Sequence, residues 1–237
     1  MKTIIGSGLL ATNFGACTFS RSCLILASGV SNSNEHREAE FRRESETISA
    51  AMRAHPSSRV IYFSTCSILQ QTQTPYIRHK LDMESLVAAK ASSFQIYRLP
   101  QVVGPTRNLT LVSYLVESVL LRRRVSIQRH AKRNLVDVND VSRLIHQLVE
   151  RDIGINTTQS LAATHGVHVI EVLQTIGGIL DIEPQFDLVD AGESYAIPTA
   201  FMRQHFGPDD ALMKPDYWQT VLRTHVPAIA SKIRSAA

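Results

Sequence analysis

Ile4-Ile5-Gly6-Ser7-Gly8-Leu9-Leu10-Ala11 is an apolar run that meets two closely spaced glycines and then turns into a helical pattern. The β-branched start reads as a strand. The G-x-G-x-x-A spacing reads as a tight turn that hands the chain to a helix. Two glycines let backbone N–H groups approach a pyrophosphate at the helix N-terminus, and Ala11 is small enough for helix and strand to pack closely. Gly6, Gly8 and Leu9 are therefore the expected contacts of a dinucleotide. The same stretch superficially resembles a secretory signal, but Gly6, Ser7 and Gly8 interrupt the apolar run where such a signal needs continuity.

Outward from that turn, short β-rich runs alternate with longer helical patterns, the mark of a parallel α/β sheet. Strands are expected at Lys2–Gly6, Cys23–Ala27, Arg59–Ser64 and Phe94–Leu99, and helices at Leu9–Phe14, Glu35–Ala54 and Tyr76–Ala91. The middle helix stops before His55-Pro56, where proline cannot continue it. After Pro100 the pattern changes. A loop through Gly104-Pro105 leads to a helix near Leu109–Leu121, a basic run Arg122-Arg123-Arg124, a strand Leu135–Val138 and a helix to about Glu150. Beyond Ile155 we expect a strand, a helix near Val167–Leu180, a strand near Gln185–Val189 and a terminal helix after Pro215.

The spacing also exposes a gap. Cys23 arrives about a dozen residues after Ala11, too few for a helix, two strands and a second helix. No acidic residue precedes Glu35, so the carboxylate that holds the adenosine ribose in a dinucleotide site is missing from its usual place, roughly 20 residues beyond the turn. The second and third strands of the usual unit are expected to be absent. The first strand then becomes a sheet edge, which must be covered or blunted.

Pro75-Tyr76-Ile77-Arg78-His79-Lys80 opens a helix with Tyr76 and Lys80 at i and i+4, on one face. A free tyrosine, with a pKa near 10, is a poor base at neutral pH. A neighbouring ammonium favours the phenolate, and the pair can exchange a proton with a carbonyl or alcohol. Ser64-Thr65-Cys66-Ser67, at the end of a β-run, places a hydroxyl upstream that can share the same oxygen. His79 is expected to point away from the Tyr76–Lys80 face. On spacing alone the competing reading is an exposed tyrosine beside a solvated lysine.

Composition sets the remaining bounds. The 237 residues are 44% hydrophobic and 19% charged, as in an ordinary globular protein, and the formal charge of +4 is too small to imply nucleic acid. No apolar run approaches the roughly 20 residues needed to span a bilayer. Cys17, Cys23 and Cys66 are sparse and odd in number, which points to a reducing, cytoplasmic setting without a zinc site. The nine histidines show no metal-ligand spacing, and no metal is expected. Arg122-Arg123-Arg124 suits a helix C-terminus.

Together these segments resemble the extended short-chain dehydrogenase/reductase superfamily, the NAD-dependent epimerase/dehydratase family that acts on nucleotide sugars. The first turn looks like its fingerprint. Leu24-Ile25-Leu26-Ala27-Ser28-Gly29-Val30 resembles its fourth strand, ending against the cofactor, and Val60-Ile61-Tyr62-Phe63-Ser64-Thr65 its fifth. Tyr97-Arg98-Leu99-Pro100-Gln101-Val102-Val103-Gly104-Pro105 is similar to its Arg-x-x-Asn-Val-Tyr-Gly-Pro segment, with Gln101 in place of asparagine. Arg133-Asn134-Leu135-Val136-Asp137-Val138-Asn139-Asp140-Val141 resembles Arg-Asp-Phe-x-x-Val-x-Asp-Val.

The resemblance implies a Rossmann-like parallel sheet, here without the second and third strands. Residues 1–150 would form the modified dinucleotide-binding domain and 151–237 an interleaved C-terminal substrate lobe. It implies Tyr76, Lys80 and Thr65 as catalytic residues, and Gly6, Gly8, Leu9, Ala27, Ser28, Gly29, Lys80 and Pro100 around NAD or NADP. Gln101, Asn108 and Arg133 would hold the nucleotide sugar, Arg133 through its diphosphate. The implied activity is hydride transfer to a nucleotide-activated sugar, with 4-keto reduction favoured because Cys66-Ser67 supplies no carboxylate for a dehydration. Polysaccharide biosynthesis and a homodimer pairing through Glu35–Ala54 and Tyr76–Ala91 are further implications. The alternative is a catalytically inactive nucleotide- or partner-binding protein on the same fold, for which the shortened adenosine half speaks.

Overall fold

In the computed structural model, which describes residues 1–106 and 110–235, two compact units alternate along the chain. One comprises Met1–Leu99 and Asn139–Leu161, the other Pro100–Val138 and the chain from Ala162 onward.

The first unit is built from β1 (Lys2–Ile5), α1 (Leu9–Phe14), β2 (Cys23–Leu26), α2 (Glu38–Ala54), β3 (Arg59–Thr65), α3 (Pro75–Lys90) and β4 (Phe94–Leu99). Its strands line up β1-β2-β3-β4 and are all parallel. A fifth strand, from later in the chain, pairs on the far side of β4. The sheet thus begins at the first strand and goes directly to the equivalents of the fourth and later strands, as the gap before Cys23 requires. Among the described residues β1 pairs only with β2, in the register Lys2↔Cys23 to Ile5↔Leu26. The edge is short, and Lys2 turns its ammonium onto the carbonyls of Phe14, Gly15 and Cys17 at the end of α1. Both features discourage pairing with a foreign strand.

Alternation along the strands divides the core. Leu24, Leu26, Val60, Tyr62 and Ile96 face one side, where they pack with Ile48 and Met52 of α2 and Met83 and Val87 of α3. The apolar residues of both helices therefore serve the chain's own core. The helix at Glu35–Ala54 opens three residues later than expected, because the Glu35 carboxylate accepts bonds from the His36 and Arg37 N–H groups and the Arg37 guanidinium, fixing a turn there. Thr74 caps α3 by accepting from the Ile77 N–H, with Pro75 in the first turn. Arg98 of β4 makes a two-pronged ion pair with Glu84 of α3, at 2.7 and 3.0 Å.

The second unit is assembled from short pairs. It holds β5 (Gln101–Val103), α4 (Leu111–Leu120), β6 (Val125–Gln128), β7 (Lys132–Arg133) and β8 (Leu135–Asp137). The chain then returns to the first unit through α5 (Val138–Glu150) and β9 (Thr157–Ser160), the fifth strand of the sheet. On the sheet's second face Phe14 of α1 meets Phe63 at 5.5 Å, and α5 is tied down by His146 to the Thr18 carbonyl and by Asn13 to Asn139, both 2.8 Å. The second unit closes with β10 (Val167–His168), α6 (Val169–Leu180), β11 (Phe186–Val189), α7 (Ala200–His205) and α8 (Tyr217–Arg234). β5 pairs with β8 and β6 with β11, both parallel, while β7 pairs antiparallel with β10. Arg122 ends α4 in the left-handed region at φ 49° and Arg124 meets Asp187 at 2.8 Å, so the basic run serves the helix end and the strand beside it. No helix among the described residues is long and apolar enough to cross a membrane.

Candidate active site

The strands of the first unit deliver their C-terminal ends to one rim, where ligands of open α/β sheets bind. The glycine turn lies at the end of β1. Gly6 sits at φ +127°, and a Cβ there would lie 2.4 Å from the Ala27 carbonyl oxygen. The turn is thus pressed against the end of β2 and only glycine fits. Gly8 starts α1 with nothing within 4 Å of a would-be Cβ, which leaves its backbone open to approach. Ala27 and Ser28 continue from β2 against this turn, and the Ala27 N–H donates to the Ile5 carbonyl at 2.8 Å.

Thr65 ends β3 and leads into a short 3-10 turn over Cys66–Leu69. Its Oγ1 accepts from the Ser67 N–H at 3.1 Å, and the hydroxyl retains its own proton for a second partner. Ser64, one residue earlier, has a buried Oγ without a hydrogen-bond partner among the described residues. Cys66 donates to the Arg98 carbonyl, and burial pushes its thiol up to about 12, which removes it as a nucleophile at neutral pH.

Tyr76 and Lys80 stand one turn apart on α3, and both are buried. Tyr76 lies in an apolar cluster with Val30, Ile77, Phe41 and Ile68. Lys80 points into a polar centre dominated by Glu44 of α2, which is 3% exposed. Oε1 of Glu44 accepts from the Lys80 ammonium at 2.9 Å and the Tyr62 hydroxyl at 3.0 Å, and Oε2 from the Val30 N–H at 2.7 Å. His79 Nε2 stands 2.9 Å from Oε2. Lys80 also donates to the Tyr62 oxygen at 3.1 Å. Burial by itself would raise the Glu44 carboxyl. Its hydrogen bond with His79, the Lys80 charge and hydrogen bond, and the Val30 N–H outweigh that and hold it at about 2. Burial, followed by the Glu44 charge, drives the Tyr62 hydroxyl well above its ordinary value, so it stays a donor.

The centre corrects one expectation: His79 does not point away from the Lys80 side of the helix. It is buried, shares the Glu44 carboxylate with Lys80 and stacks on Phe41 at 4.6 Å. The residues that sequence reading missed are Glu44 and Tyr62. Phe41, Glu44, Ile48 and Met52 fall at i, i+3, i+7 and i+11, so Glu44 is an acid set on the apolar stripe of α2. That misplaced charge was the available signal.

The other site candidates lie in the second unit or outside the described residues. Pro100 and Gln101 open it, with Gln101 in β5 donating its N–H to the Asn134 carbonyl. Arg133, on β7, donates to the carbonyls of Lys132 and Glu193 at 2.7 and 3.3 Å. Beside it opens a cavity of about 290 Å³ lined by Lys132, Arg133, Asn134, Thr164, Ser194 and Tyr195. Asn108 lies outside the described residues. No group of three His, Cys, Asp or Glu side chains fit to hold a metal occurs among the described residues.

With this sheet order and this set of residues, the chain belongs to the NAD dependent epimerase/dehydratase family, whose model matches residues 23–159, more than half of the sequence. The match begins at Cys23, after the shortened segment. Among solved structures the chain is similar to RMD from Pseudomonas aeruginosa, complexed with NADPH, at 15% identity and a TM-score of 0.75, covering 98% of this chain and 99% of that one. It is also similar to the UDP-glucose 4-epimerase of Stenotrophomonas maltophila with bound NAD and formylated UDP-arabinopyranose. There the identity is 16% and the TM-score 0.71, covering 91% and 78% of the two chains. The dTDP-glucose 4,6-dehydratase of Bacillus anthracis in complex with NAD matches at 15% identity and a TM-score of 0.69, over 90% and 74%. At these identities the likeness speaks for the fold. No match is found among curated proteins.

Proposed function

We propose that the chain is an NAD(P)-dependent oxidoreductase acting on a nucleotide-activated sugar, and that it reduces a keto group, most simply at C4. The observation that carries the reading is that one unit holds the glycine turn, the Thr65 hydroxyl at the end of β3 and the Tyr76–Lys80 pair on α3. The family membership and the nucleotide-sugar enzymes among its structural neighbours support it.

The residues present fit a dinucleotide at the turn, where Gly6 is close-packed and Gly8 open. At the other end, Lys80 fits one by sharing its ammonium with Glu44 or by giving up part of that bond. Gly6, Gly8, Leu9, Ala27, Ser28, Gly29, Lys80 and Pro100 are the proposed cofactor contacts; the bound cofactor supplies the hydride. Thr65 donates a hydrogen bond to the keto oxygen and keeps its proton, while its own oxygen accepts from the Ser67 N–H, and Tyr76 delivers the single proton that completes the alcohol. Glu44 cancels much of the field that a bare Lys80 ammonium would exert on Tyr76. A phenol that donates a proton suits reduction better than a phenolate that abstracts one. Arg133, with Gln101 and Asn108, is assigned to the nucleotide sugar, Arg133 to its diphosphate. A homodimer in the cytoplasm and a place in polysaccharide biosynthesis complete the proposal.

A second reading, a nucleotide- or partner-binding protein without catalysis, is favoured by two observations: the sheet starts at β1 without the strands that flank adenosine, and Lys80 is already held by Glu44. Turnover decides between them. NADPH oxidation should appear with a 4-keto nucleotide sugar, and Tyr76→Phe should abolish it while leaving ligand binding nearly intact. Loss of binding together with turnover would mark Tyr76 as structural, and no turnover of any keto-sugar nucleotide by wild-type protein would favour the binding protein.

A further inference from the structure

Glu44 is the acidic member of the buried face of α2, beside Ile48, Ala51 and Met52. A carboxylate in that setting is tolerated only when its acceptor positions are filled. Here they are, by Lys80 and Tyr62 on one oxygen and by the Val30 N–H and His79 on the other. Lys80 in turn spends two of its three donors on Glu44 and Tyr62, and its side chain is 6% exposed. The carboxylate also fills space. A Cβ on Gly29 would lie 2.5 Å from Oε1, so the space above Gly29, in the loop after β2, is taken by Glu44.

We propose that Glu44 is an internal ligand of Lys80 that competes with a bound dinucleotide for the same ammonium and for the space over Gly29. The inference rests on Lys80 and Gly29 being cofactor contacts, as read above. The chemistry of the competition is direct. The ammonium charge assists a bond to either acceptor, but a sugar hydroxyl offers Lys80 a neutral oxygen, whereas Glu44 adds the attraction of an opposite charge in a buried setting. Binding therefore requires Lys80 to exchange, or share, its stronger partner, and Glu44 sets the affinity without touching the reacting atoms. It is a positioning residue whose effect is read in the dissociation constant.

The test is the dissociation constant of NADPH, measured by calorimetry and nicotinamide fluorescence, for wild type, Glu44→Ala, Glu44→Gln, Lys80→Gln and Glu44→Gln/Lys80→Gln. Glu44→Ala, which frees both the ammonium and the space over Gly29, should bind at least tenfold more tightly than wild type, and Glu44→Gln several-fold more tightly. In the Lys80→Gln background the gain should vanish. If Glu44→Ala does not fold, Glu44→Gln, which keeps the volume, decides. Affinity in the folded Glu44 variants equal to or weaker than wild type overturns the proposal, as does a gain that survives without Lys80. Absence of NADPH binding in every variant overturns it together with the cofactor assignment. Tighter binding without turnover of any keto-sugar nucleotide upholds the proposal and removes the reductase reading, so the two fail separately.

Discussion

The Glu44 centre of the first unit and the Arg133 cavity of the second place cations in opposite situations. Lys80 is buried, and its charge is balanced by a carboxylate whose oxygens carry four partners. Arg133 is steered by two backbone carbonyls, which orient a guanidinium without neutralising it, and it borders a cavity with Lys132 alongside. A charge satisfied by its own chain contributes to folding, and its removal is felt in stability. A charge aimed by neutral acceptors at open space is available to an anion, and its removal is felt in binding.

The sharpest way to break this contrast is Glu44→Ala, which leaves Lys80 buried without its counter-charge and should cost about 3–5 kcal/mol by chemical denaturation. A loss below 1 kcal/mol would mean that the centre is wetter and looser than described. Acid probes the same carboxylate. Its folded value, about 2, lies below the ordinary value of 4.5, so its contribution is complete above pH 4.5 and is lost as pH falls toward 2. Glu44→Gln should flatten that limb of the stability profile. Next in size, Gly6→Ala forces a side chain to φ +127° and a Cβ onto the Ala27 carbonyl, and should cost about 2 kcal/mol. Smallest in energy but most discriminating is Arg133→Ala. Its melting temperature should stay within a few degrees of wild type, while UDP affinity falls about tenfold, or ~1.4 kcal/mol. A large fall in stability with unchanged UDP binding would place Arg133 with the structural charges and erase the distinction.

The first unit was legible because its signals are long and local. Four strands, three helices between them and the G-x-G-x-x-A turn are each set by a contiguous pattern, and the twelve-residue step to Cys23 announced the missing strands. The Tyr76–Lys80 helix was likewise readable from Pro75 onward. The second unit was not legible in the same way. Its strands are two to four residues long and pair across great sequence distance, as Gln101–Val103 does with Leu135–Asp137 and Val125–Gln128 with Phe186–Val189. No local period marks such pieces, and β5, β6, β7, β10 and α7 went unread. Glu44 was hidden for a related reason. Its four donors come from the loop after β2, from β3 and from α3, and only the tertiary fold brings them to one carboxylate.

The most direct test of the account is equilibrium binding of NADPH and NADH to the wild-type protein, alone and with UDP present, by calorimetry. The account predicts a dissociation constant below millimolar for at least one of them, since the backbone at Gly8 is open to approach and Lys80 can share its ammonium with Glu44 or exchange it. Absence of binding at millimolar concentration, with and without UDP, would contradict it and leave a member of the family that no longer uses its dinucleotide.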